Sequence, residues 1–296
     1  MDWAVVLWSS GLVVLAVVNL LLWMRAARRL QILSPTLPDD FRRNRRLQLW
    51  LSAGYVFGCA FRSVVPVFDV PRVALIDSPL ASVLVGRSVA TLAELCFVAQ
   101  WALILSAASR VTGSAFGRWS ARTVLPLVFT AEICSWYSVL TTSNLGHAFE
   151  ESLWALSAAL MVASLLVAWP RWKPAHRPAV VTLGILGACY VAYMLWIDIP
   201  MYAGRWLEAE AAGTQYRTLS EGLLYIASPH AVSYATEVWR HEFVWMALYF
   251  SVGVWCSIAL VHSPLPEYRP APVERRSTSM PWLRPLRMPV GNRFIE

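Results

Sequence analysis

Residues 3–24 read WAVVLWSSGLVVLAVVNLLLWM, an unbroken run without a single charged side chain. A helix needs about 20 apolar residues to cross the hydrocarbon core of a bilayer. Helix is also the only open-chain form in which lipid leaves no backbone N–H or C=O unpaired. The run is preceded by Asp2 with no Arg or Lys, and no small-residue cleavage site follows it, so it reads as a retained span and not as a signal peptide.

Working outward, six more stretches have the same character: 47–66, 80–108, 124–143, 152–169, 179–202 and 240–262. The composition agrees. Of the 296 residues, 57% are hydrophobic and 15% charged, with mean hydropathy +0.51. A soluble fold of this size has no interior large enough for so much apolar surface. The expected fold is all-α: a polytopic bundle of seven transmembrane helices over residues 1–262, followed by a Pro/Arg-rich tail, 263–296, expected to be disordered against anionic lipid.

The basic residues sort to one side of these spans. The loop 25–46 carries seven arginines, the third loop Arg110, Arg118 and Arg122, the fifth Arg171, Lys173 and Arg177, and the tail six more. By the positive-inside rule the N-terminus lies outside and the tail in the cytoplasm. The net charge of +7 is thereby a topology signal, and nucleic acid is not an expected partner. The lipid bilayer is. An excess of 24 arginines over one lysine points to a GC-rich genome, hence a plasma or bacterial inner membrane. The cysteines, Cys59, Cys96, Cys134, Cys189 and Cys256, fall one to a span and read as small packing residues.

Ionisable groups at bilayer depth are costly and mark function by default. Here they gather in the outer halves of five spans. Arg62 lies on the second, Arg87 and Glu94 on the third, Glu132 and Trp136 on the fourth, Asp198 and Tyr202 on the sixth, and His241, Glu242 and Trp245 at the start of the seventh. The turn after the fourth span adds Asn144, His147, Glu150 and Glu151. The first span offers only Asn19 and the fifth almost nothing polar, so both read as peripheral. The other five then enclose a polar cavity open to the outside.

Three chemistries suit these residues. Glu94 and Glu132, with no cation evident at their own depth, suit proton transfer, with Asp198, His241 and Glu242 completing a catalytic group. Arg87 sits about 10 Å along the helix from Glu94, a separation read as too great for contact. Arg62 and Arg87 suit an anionic head group, with Asn144, Tyr202, Trp136 and Trp245 around the rest of an amphiphile. His147 with Glu150 or Glu151 has the helical spacing of metal ligands, so a divalent metal is compatible. A retinal Schiff base is excluded, because the lone lysine is in a loop, and the paired histidines within spans that a di-haem carrier needs are missing. The leading expectation is an intramembrane enzyme acting on a lipid-like, amphiphilic anionic molecule; a proton-coupled transporter and a receptor or partner-binding subunit are the alternatives.

The outer loop 203–239 is expected to extend the sixth helix to about residue 212, stop at Gly213, and form a short amphipathic helix around 221–227. Leu223, Leu224 and Ile226 would dip into the membrane interface, making the loop a lid or a spacer.

Overall fold

The computed structural model describes residues 2–70, 72–172, 174–227 and 231–263. The tail from residue 264 and His230 lie outside the described residues. The helices are α1 (Trp3–Leu33), α2 (Asp39–Val64), α3 (Val83–Thr112), α4 (Ala115–Thr141) and α5 (Asn144–Ala168). A sixth rod runs from α6 (Arg177–Tyr193) through a π-helical turn, Met194–Asp198, into α7 (Ile199–Ala211). Short α8 (Leu219–Ile226) and α9 (Thr236–Trp239) precede a last rod: α10 (Glu242–Leu248), a second π-helical turn, Tyr249–Gly253, and α11 (Val254–Val261).

Among the described residues, six helices are long and apolar enough to cross a membrane: Trp3–Thr36, Val83–Thr112, Ala115–Thr141, Asn144–Arg171, Arg177–Ala211 and Glu242–Val261. The expected second span, 47–66, is the helix α2, which falls outside that set. It opens on DDFRRNRR, and a polar face of Gln48, Ser52, Tyr55, Cys59 and Ser63 is buried against its neighbours α1 and α3. A helix that turns its polar side inward is not apolar all round, and its mean apolarity is correspondingly low.

Hydroxyl caps set the helix starts. Ser82 accepts from the Val85 N–H, Ser114 from Gly117 and Ser143 from Leu145, each satisfying one orphan donor of the first turn. Consecutive helices pack side by side from α1 to α6, and α11 closes back onto α2, α1 and α3. The seam between α6 and α10–α11 is slight by comparison. It is bridged by the Tyr193 and Trp245 rings, stacked with centroids 6.1 Å apart, and Leu183 packs against the cluster of Trp101, Ile104 and Leu260.

One end of the bundle carries a small sheet. β1 (Val67–Phe68) pairs antiparallel with β2 (Val73–Ala74), which pairs parallel with β3 (Ala231–Val232). Asp2 joins this end to α9: the Thr236 hydroxyl and N–H both donate to its carboxylate, holding it below the usual carboxylate range. The sixth rod runs on to Ala211 and stops at Gly213, whose φ of +65° favours glycine. Thr218 and Glu221 form a reciprocal capping box on α8, and the backbone N–H and hydroxyl of Thr218 hold the Glu221 carboxyl low.

α8 does not float in an interface. Gly222 lies against the Leu140 carbonyl, too close for any Cβ, and Ile226 is buried with Val139 and Val83. The Tyr225 ring is clamped between Arg72 and Arg217, 3.6 and 3.3 Å from its centroid. Leu223 and Leu224 are exposed, whereas Ile226, expected beside them, packs inward.

The π-helical turn at Tyr249–Gly253 explains Asn19. A π turn disrupts the regular ladder, and here the Asn19 amide donates to the Phe250 carbonyl at 2.7 Å while accepting from Trp255 Nε1 at 3.0 Å. The one polar side chain in the core of α1 is thus spent on holding the last rod.

Candidate functional site

A cavity of about 450 Å³ opens among α2, α3, α5, the sixth rod and the last rod. Its roof at the sheet end is the β1–β2 turn, with Phe68, Asp69 and Val70. Polar groups line the upper part. Below them the wall is aromatic and aliphatic down to Trp101, Leu165, Leu183 and Cys256. Along α3, Arg87 and Trp101 are about 21 Å apart at helical rise, so the cavity is a deep slot with a polar head and an apolar foot. The loop beyond α7 contributes no lining residue before Glu242 among the described residues, so the roof is the hairpin and not the α8 segment.

The polar head is organised by Arg87, buried with 6% of its surface exposed. Its Nη2 donates to Glu132 Oε2 at 2.7 Å and to Glu150 Oε1 at 2.8 Å, and lies 3.7 Å from Glu94 Oε2. Three elements converge here because Glu94, Glu132 and Glu150 face inward from α3, α4 and α5. Glu132 Oε2 also accepts from Thr91 Oγ1 at 2.6 Å, and Thr91 in turn accepts from Trp136 Nε1 at 3.1 Å. Glu94 Oε1 accepts from the Tyr249 hydroxyl at 2.8 Å and lies 4.0 Å from Arg62. The Arg62 guanidinium stands 5.9 Å from the Tyr249 and Phe250 ring centroids.

The other oxygen of Glu150 is 2.8 Å from His147 Nδ1. With the carboxylate accepting from Nδ1–H, the free lone pair is at Nε2, which makes no hydrogen bond among the described residues. His147 lines the cavity, its ring 5.0 Å from that of Tyr202. Arg87, Glu150 and His147 thus form one hydrogen-bonded chain ending on an imidazole at the cavity wall.

Several expectations change. Arg87 and Glu94 do interact across two helical turns, because a guanidinium on a long stem reaches along the axis where a short side chain does not. Glu94 and Glu132, expected without cations at their depth, both sit at the Arg87 guanidinium. That same pairing spends Arg87, which is not a free anion clamp. α5, expected to be peripheral, forms a wall of the slot. It begins at Asn144 rather than at 152, so His147, Glu150, Glu151, Trp154, Ala158, Met161 and Leu165 follow one another at helical spacing on the cavity face.

Glu94, Arg62, Asn144, Tyr202, Glu242, Glu151 and Trp245 line the cavity with them. Glu132, Trp136 and Asp198 do not: Glu132 and Trp136 stand behind the wall, and Asp198 is buried beside the Tyr193 hydroxyl at 3.5 Å. His241 is exposed and turned to Arg240, whose Nε donates to it at 3.2 Å, so it does not complete the group. His241 is the residue before α10, and the helix that starts at Glu242 carries Glu242 to the slot.

Tyr249, one turn below Trp245, is on the cavity face as its spacing indicates, whereas Tyr190, Tyr193 and Asp69 are lining residues that sequence reading left out. Asp69 had no signal, since nothing in the loop 65–82 predicts a hairpin folded over the slot.

Oxygens of Glu94, Glu132 and Glu150 lie within 4.8 Å of one another, a set of hard donors fitting a divalent cation. The Arg87 guanidinium already supplies positive charge to these three groups, however, and His147 is bound to one of them. The expected ligand pair His147 and Glu150 is a hydrogen-bonded dyad; Glu151 has no bond to either. No protein-family model matches the chain, and neither a curated protein nor a solved structure matches it.

Proposed function

We propose that the protein is an intramembrane enzyme that admits an amphiphile to this slot and performs acid–base chemistry on its head. The observation that carries the reading is the Arg87–Glu150–His147 chain at the polar end of a cavity whose other end is apolar. In this reading Glu150 orients His147, Nε2 of His147 takes a proton from the reacting group and gives it back later in the turnover, and Glu94, accepting from the Tyr249 hydroxyl, borders the head beside it. Glu132 acts through Arg87 and Thr91 and is a positioning residue. The chain of the amphiphile lies toward Trp101, and the thinly packed seam between α6 and α10–α11 offers lateral entry from lipid.

The same reading takes α2 as a seventh span, since its 26 residues extend about 39 Å at helical rise and pack between α1 and α3. The sheet-bearing end then faces outward and the arginine-rich loops the cytoplasm of a bacterial inner membrane. A carrier is less well supported. It needs a polar path onward, whereas the slot ends on Trp101, Leu165 and Leu183, and the polar groups beside its foot, Gln48, Gln100 and Ser257, bond to one another and do not line it.

The test compares lipid extracts, by mass spectrometry, from bacterial membranes holding the full chain or its His147→Gln variant at equal protein levels. The wild type should deplete one amphiphile and accumulate another, and the variant should do so about 10²–10⁴-fold more slowly. Conversion by His147→Gln at the wild-type rate would remove the imidazole from the chemistry and this reading with it.

A further inference from the structure

The charge lining the slot is opposite to what two membrane arginines suggest. Arg62 and Arg87 face five carboxyls: Asp69, Glu94, Glu150, Glu151 and Glu242. Arg87 is already divided among three acids, including Glu132 behind the wall. Arg62 has Glu94 at 4.0 Å and must serve Asp69 and Glu242 electrostatically from farther off. Asp69, Glu151 and Glu242 make no ion pair or hydrogen bond among the described residues.

Carboxylates held in an apolar-walled space without partners are expensive, and a positive group placed among them removes that cost. An anionic head would add to it. The rings at this level suit the same sign. Tyr193, Tyr202 and Trp245 line the slot beside Glu151 and Glu242, and aromatic faces attract cations, most strongly when these are desolvated. Below them lies the apolar foot that a hydrocarbon chain would fill.

We propose that the ligand is an amphiphile with a cationic head, an amine or quaternary ammonium, bound among Asp69, Glu151 and Glu242 against those rings, its chain running down toward Trp101. This rests on the amphiphile reading above and assigns the head a charge opposite to the anionic one expected from the sequence.

The experiment uses the full chain in an uncharged maltoside detergent and follows the thermal midpoint as dodecyltrimethylammonium, dodecyl phosphate or dodecanol is added below micelle-forming concentrations. The ammonium should raise the midpoint saturably, with an apparent affinity about tenfold or more above that of either other probe. The double variant Glu151→Gln with Glu242→Gln, which keeps side-chain shape, should lose about that factor for the ammonium and change little for dodecanol. Tighter binding of the phosphate, or equal binding of all three, overturns the cationic head while leaving an amphiphile slot in place. An unchanged ammonium affinity in the double variant also overturns it. Failure of all three probes to saturate overturns the amphiphile reading itself.

Discussion

Two buried polar groups hang on the same helix, α3, six residues and about 9 Å apart, and they differ in kind. Around Gln100 everything is neutral and paired. Its Nε2 donates to the Gln48 carbonyl, Gln48 Oε1 and the Ser257 carbonyl, and its Oε1 accepts from Ser257 Oγ at 2.6 Å. Gln48 donates back to the Gln100 carbonyl at 3.0 Å, and Ser257 reaches Ser52 at 3.1 Å. None of these residues lines the slot. Around Glu94 the groups are charged, they border open space, and Glu132 Oε1 and Arg87 Nε are left without partners. Satisfied neutral groups tie helices together. Charged groups left partly unsatisfied beside a cavity are a cost with no structural return, and such groups mark sites.

The largest expected effect comes from Arg87→Met. It removes the one guanidinium common to Glu94, Glu132 and Glu150 and leaves buried carboxylates facing each other. Breaking a buried pair from one side costs about 3–5 kcal/mol, so the variant should unfold at a clearly lower thermal midpoint than wild type, or fail to accumulate in membranes. A midpoint within a degree or two of wild type would mean that these acids are not held as charges, and the contrast with the Gln100 group would disappear.

Gln100→Leu is the matched change on the other side. It strips the bonds from Gln48 and Ser257 and should cost about 1–2 kcal/mol, seen as a lower midpoint. Replacing Gln48 as well, by Leu, should recover part of that loss, because no unpaired amide then remains. Neither variant should alter the conversion seen in lipid extracts. If Gln100→Leu abolished it at normal protein levels, the sealed group would be part of the machinery.

The fold was largely legible, and the reason is physical: lipid imposes helix length and apolarity so strongly that residues 3–24 or 240–262 admit few other readings. The ends were less legible. α5 was drawn from the start of its apolar run, so the polar turn holding His147 and Glu150 was read as a loop, although their spacing continues the helical face of Trp154 and Met161. The ionisable residues themselves were picked out, but those at the start of α5 were given to a loop, and partners were not read. Sequence shows that Arg87 and Glu94 share a face but not that a flexible stem bends the guanidinium down to meet acids from two other helices. Nor does sequence separate Glu242, turned into the slot, from His241, turned out of it, since that depends on where α10 begins its first turn.

The finest test of the contrast pairs two changes of similar small cost. Trp136→Phe deletes the indole N–H that supports Thr91, which supports Glu132, which supports Arg87, together with part of the ring packed on the cluster that holds Val139. Ser257→Ala deletes a hydroxyl bonded to Ser52 and Gln100. Ser257→Ala should lower stability by about 0.5–1 kcal/mol and Trp136→Phe by about 1–2 kcal/mol, the lost ring contact included, a difference that thermal midpoints alone would barely separate. Their consequences should nevertheless part. Loosening Glu132 lets Arg87 and Glu150 shift, and with them the imidazole of His147, so Trp136→Phe should slow conversion in lipid extracts. Ser257→Ala has no such line to the slot and should leave it intact. Equal slowing by both would show that general helix order, and not the chain from Trp136 to His147, sets the rate.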